Sequence, residues 1–93
     1  PGVVPTKQVQ LEPGSLVAQV CGKDRLRVNS LHSQAIHENG EGFVTVGRDL
    51  DGIVQAVEHL NNPPIIGVQW HPEYLLYLPS QLALFRWLVD KAR

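Results

Sequence analysis

The sequence is poor in sulfur and has no long apolar run. It contains no methionine and one cysteine, Cys21. A single thiol cannot build an internal disulfide framework, and it suits a reducing compartment such as the cytoplasm. No stretch approaches the ~20 apolar residues that a membrane-spanning helix needs. The net charge is −1 and no basic run occurs, so nothing favours electrostatic attraction to nucleic acid or to an anionic membrane. No glycine-rich phosphate loop or dinucleotide fingerprint is present, so no cofactor is implied. His32, His37, His59 and His71 do not form an H-E-x-x-H or similar ligand frame, so no metal is implied either. There is no internal repeat and no low-complexity tract. The chain opens Pro1-Gly2-Val3-Val4-Pro5. With no methionine there, either an initiator was removed or this is a piece of a longer protein.

What is present is globular in kind. Apolar residues make up 43% and charged residues 18% of 93 residues. Such a chain forms one domain at most, and a small one buries only somewhat over ~60% of its unfolded surface. Residues 1–6 form a Pro/Gly lead-in without periodicity. Gln8 to Leu11 alternates polar and apolar, which predicts a strand. Ser15 is placed to cap a short helix over Leu16 to Val20, and Gly22 to end it in a left-handed conformation. Leu26 to Asn29 reads as another strand, and Asn39-Gly40-Glu41-Gly42 as a turn. Phe43–Leu50 and Ile53–Leu60 flank Asp51-Gly52, a hairpin signal for a type I′ turn, with Val44, Val46 and Leu50 on one face. A helix from Ile53 is the competing reading. Asn61-Asn62-Pro63-Pro64 breaks the chain. Ile65 to Trp70 then reads as a strand buried on both faces of a sheet. Pro79 fits the first turn of a terminal helix whose apolar stripe is Leu82, Phe85, Leu88, Val89 and Ala92.

Three groups could carry chemistry. His71 and Glu73 follow the last strand, and alternation puts them on the same side if the backbone stays extended. A carboxylate beside an imidazole holds one tautomer and stabilises the imidazolium. A surface ion pair is the plainer alternative. Asn29-Ser30-Leu31-His32-Ser33-Gln34 also follows a strand directly. Its donors and acceptors suit an amide or an amino-acid head group, or they merely close a turn. If the two strands run parallel, both clusters share a rim, where ligands of open α/β sheets bind. Cys21 lacks the glycine-flanked strand-to-helix elbow of a catalytic thiol and reads as a small buried hydrophobe.

Val28 to Ile36, followed further on by Gly67-Val68-Gln69-Trp70-His71-Pro72-Glu73, closely resembles class I glutamine amidotransferase-like proteins. The best fit is the peptidase C26 branch, the γ-glutamyl-γ-aminobutyrate hydrolase group. Pro13 to Leu16, Asp51 to Ala56 and Leu84 to Val89 also look like that group's C-terminal portion. The resemblance implies α/β architecture: the C-terminal half of a flavodoxin-like three-layer α/β/α domain with a mixed sheet, a β-hairpin near Asp51-Gly52 and a C-terminal helix. It makes residues 1–93 a single partial domain.

By motif match, the resemblance gives His71 and Glu73 the histidine and glutamate roles of a Cys-His-Glu triad, and places Ser30, His32 and Gln34 near substrate. The substrate it implies is glutamine or another small γ-glutamyl amide. The family's nucleophile sits in an upstream G-x-C-x-G elbow that these residues do not contain. Two expectations follow. In one, the chain supplies the His-Glu pair to an amide hydrolase whose nucleophile and N-terminal half lie elsewhere, and alone it is inactive. In the other, it is a non-catalytic assembly module that self-associates through an exposed sheet edge. A hydrolase built on Cys21 itself is a third and weaker reading.

Overall fold

The computed structural model of the chain describes residues 7–29, 42–59 and 64–91. The lead-in at 1–6, most of the expected turn at 39–42 and the break at 61–63 lie outside them. The described elements are β1 (Lys7–Leu11), α1 (Leu16–Cys21), β2 (Arg25–Val28), β3 (Phe43–Asp49), β4 (Val54–His59), β5 (Ile65–Val68), a 3-10 turn at Pro72–Tyr74, and α2 (Pro79–Lys91). The strands form one sheet in the order β2-β1-β3-β4-β5. Every ladder between them is antiparallel, where the resemblance implies a mixed sheet. The fold is a small α/β unit with its helices packed together and a shared core of Val9, Leu11, Val17, Leu26, Val28, Ala56, Ile66, Trp70 and Leu84.

Helix α1 is only six residues long, and its first turn is held from two directions. Ser15 Oγ accepts the Ala18 N–H at 3.1 Å, as its N-cap position predicts. The Glu58 carboxylate of β4 accepts the Leu16 and Val17 N–H groups at 3.2 and 2.8 Å. Three of the four orphan donors of the helix thereby find partners. Gly22 ends the helix at φ 78°, ψ 14°, and its N–H returns to Ala18 O, as expected.

The β3–β4 hairpin forms where Asp51-Gly52 predicts it, and β4 is a strand rather than a helix. The turn is not type I′, because only Gly52 has positive φ and Asp51 does not. Gly52 N–H bonds Asp49 O, and Asp49 N–H bonds Ile53 O, each at 3.0 Å. This is the three-residue loop that a left-handed glycine closes. Asp49 Oδ1 also accepts the Asp51 and Ile53 N–H groups, at 2.9 and 3.0 Å, so a side chain organises the turn.

A register shift at Gly47 changes which residues face inward. Val46 and Gly47 are buried in succession, and Asp49, not Leu50, points in; Leu50 is 78% exposed. An extra residue in a ladder reverses the alternation beyond it. A Cβ on Gly47 would stand 2.9 Å from Leu11 and 3.1 Å from Ala56, so the bulge passes where no side chain fits.

Two burial expectations are corrected. β5 is an edge strand with Ile65 half-exposed, and the strand buried along its length is β4, from Val54 to Glu58. On α2, Pro79 opens the helix as expected, but the buried positions are Gln81 and Leu84. Leu88 and Trp87 pack against the core, and Val89 is exposed. The face is turned by about one residue from the apolar stripe. Buried Gln81 has a partner there: the Trp70 Nε1–H donates to its Oε1 at 2.9 Å.

Candidate functional site: the His71–Glu73 pair

The antiparallel ladders set the directions of the strands. β2, β3 and β5 run one way, and β1 and β4 the other. The C-terminal ends of β2 and β5 therefore share a rim, although these strands stand at opposite ends of the sheet order. In a flat sheet four spacings of ~4.8 Å would hold those edges about 19 Å apart. Instead Asn29, the residue after β2, accepts the His71 N–H through Oδ1 at 3.2 Å. The sheet is curled enough to join its two ends, and it does so at the two motifs singled out in the sequence.

His71 Nδ1 lies 3.1 Å from Glu73 Oε2, and each side chain is 43% exposed. The contact is not made along an extended strand. His71 has φ −113° and ψ 87°, and Pro72–Tyr74 is a 3-10 turn in which the Tyr74 N–H bonds His71 O at 3.1 Å. The turn brings the carboxylate back to Nδ1 of the ring. Tyr74 stands beside it, with ring centroids 5.7 Å apart and planes at 44°. With Nδ1 engaged by the carboxylate, Nε2 is the nitrogen that can accept and return a proton.

Neighbouring residues hold the pair from behind. The preceding residue, Trp70, is 2% exposed and tied to Gln81. Gln69 N–H bonds Gln55 O at 2.9 Å, which carries the β4 ladder one residue past β5. Asn29 and Gln81 are the supporting residues that pattern reading missed. Asn29 lay in the polar cluster, but only the curl shows that it reaches His71. Ser30, His32 and Gln34 lie outside the described residues.

Cys21 is buried in the core at the end of α1. Burial raises its thiol to about 11, against a weaker downward pull from Lys23, so it is protonated at neutral pH. A groove of about 580 Å³ opens beside Cys21 and Leu26, rimmed by Lys23, Arg25 and Arg27. Neither His71 nor Glu73 lines it. Among the described residues no three His, Cys, Asp or Glu side chains gather as a metal site, and no helix is long and apolar enough to cross a membrane.

An imidazole–carboxylate contact of this kind can hold one ring tautomer and stabilise the imidazolium. Comparison with known proteins places the chain in a family. The family model Peptidase C26 matches residues 1–73. The chain is 38% identical, over 92% of its length, to the γ-glutamyl-γ-aminobutyrate hydrolase PuuD of Escherichia coli K12, and covers 33% of that protein. It is 37% identical, over 98% of its length, to a Mycobacterium tuberculosis protein that carries the name "putative glutamine amidotransferase", and covers 28% of it. This chain belongs to the peptidase C26 family. It spans about a third or less of the curated relatives it matches.

Proposed function

We propose that the chain is the C-terminal part of a flavodoxin-like three-layer amidohydrolase domain, and that it contributes His71 and Glu73 to a Cys-His-Glu triad. The observation that carries this reading is the 3.1 Å contact between His71 Nδ1 and Glu73 Oε2. The nucleophile is a cysteine outside these residues, and the substrate is glutamine or another γ-glutamyl amide. His71 Nε2 takes the thiol proton as sulfur adds to the γ-carbonyl carbon. The tetrahedral adduct collapses to a γ-glutamyl thioester when Nε2 returns that proton to the departing amine. Water then attacks the thioester carbonyl, losing its proton to Nε2, and the proton passes to the leaving thiolate as the γ-glutamyl acid departs. Glu73 holds the Nδ1–H tautomer and stabilises the imidazolium in both halves. Ser30, His32 and Gln34 are proposed to contact the substrate. A reducing, cytoplasmic setting is part of this proposal, because it keeps a catalytic thiol reduced.

The test is complementation. The chain alone is expected to be inactive on γ-glutamyl amides. Supplying an upstream C26 segment with its G-x-C-x-G elbow restores hydrolysis, and His71→Ala removes it by several orders of magnitude. Hydrolysis that survives His71→Ala would overturn the reading. The second reading is an assembly module with a relic pair, favoured by the sheet edges at β2 and β5. It expects stable association and no restored activity.

A further inference from the structure

Asn29 is outside the His71–Glu73 pair, yet its side chain grips the main chain of His71. Its Oδ1 accepts the His71 backbone N–H at 3.2 Å, and the residue is 2% exposed. The orientation of the carboxamide is forced. The backbone N–H is a donor and needs the oxygen, whereas the reversed amide would set donor against donor. Its Nδ2 is buried with no hydrogen-bond partner among the described residues. A buried donor left unpaired opposes stability. An amide there is therefore not explained by packing, and its visible contact is with the residue that bears the imidazole.

We propose that Asn29 is a positioning residue for the His71 ring. Holding the His71 N–H fixes the peptide plane from which the side chain departs, just where the chain leaves β5 for the 3-10 turn. The direction of the Cα–Cβ bond, and with it the Nδ1 approach to Glu73, depends on that plane. The end of β2 thereby sets the geometry of a pair carried after β5. This rests on reading His71 and Glu73 as an acid–base pair.

The experiment uses ¹⁵N-labelled full chain. In the wild type the His71 amide exchanges slowly, and ring ¹⁵N shifts report the Nδ1–H tautomer. In Asn29→Ala the His71 amide exchanges about 10-fold faster or more, while Val57 in β4, which pairs with strands on both sides, keeps its protection. The Nδ1–H tautomer loses population, and Asn29→Asp, which keeps an acceptor oxygen, restores both signals. Fast exchange at His71 in the wild type overturns the proposal without any variant. So does an Asn29→Ala chain with unchanged His71 exchange and tautomer. In the complemented enzyme, Asn29→Ala lowers kcat by about 10-fold or more at unchanged KM, and Asn29→Asp recovers it. Activity that survives His71→Ala removes the catalytic reading and leaves the exchange result standing. Activity that dies with His71→Ala but ignores Asn29→Ala removes only the positioning role.

Discussion

Single side chains in this domain do work usually left to backbone. Asp49 is the clearest case: Oδ1 accepts two turn N–H groups, and Oδ2 accepts from Gln55 Nε2 at 3.1 Å and Lys7 Nζ at 3.4 Å. Burial raises its pKa, but the hydrogen bonds from Ile53, Gln55, Asp51 and Lys7 outweigh burial and hold the carboxyl below the ordinary 3.8. A carboxyl depressed in the folded state adds stability above the unfolded pKa. That contribution fades as pH falls from about 3.8 through the lower folded value. Asp49→Asn should therefore lower the unfolding free energy at pH 7 by about 1–3 kcal/mol. In urea titrations the gap to wild type should close as the pH falls through that window. A gap independent of pH would show that the charge is not the source of the stability.

At the scale of elements, tertiary contacts override local pattern. Helix α1 is too short to persist by propensity, and Glu58 of β4 anchors its first turn from 42 and 41 residues away. By spacing alone Glu58 shares a strand face with Val54 and Ala56 and only interrupts it. Gln81 is the same lesson on α2. A stripe of Leu82, Phe85, Leu88 and Val89 invites the view that Gln81→Leu would improve the core. The structure says otherwise, because Gln81 Oε1 is the partner of the buried Trp70 indole N–H. Gln81→Leu should cost about 1–3 kcal/mol and shift Trp70 fluorescence, whereas Gln81→Glu keeps the acceptor but buries a carboxylate, so it should cost less than Gln81→Leu only at acidic pH, where that carboxyl is neutral. Thermal or urea unfolding of the three proteins checks the order.

The molecule as a whole is a curled antiparallel sheet that ends in β2 on one side and β5 on the other. Ile65 on β5 is 48% exposed and Val44 on β3 is 52% exposed. Edge strands and apolar surface of this kind favour pairing with another chain. Light scattering on the isolated chain should show species above the monomer mass. Ile65→Lys should shift them toward monomer, since a charge on an edge strand opposes strand addition. A monomer at all concentrations would remove the assembly reading.

The sequence by itself determined the elements and the motif. Ser15 and Gly22 cap α1, Pro79 opens α2, Asp51-Gly52 marks the hairpin, and His71 and Glu73 name the pair. Those features depend on residues close along the chain, where spacing and local chemistry suffice. Tertiary structure alone decided the rest: that β5 is an edge, that the Gly47 bulge turns Asp49 inward, that Gln81 and Glu58 are buried partners, and that Asn29 meets His71. Each of those follows from groups 11 to 42 residues apart, or from a one-residue shift in register, and hydrophobic periodicity carries neither.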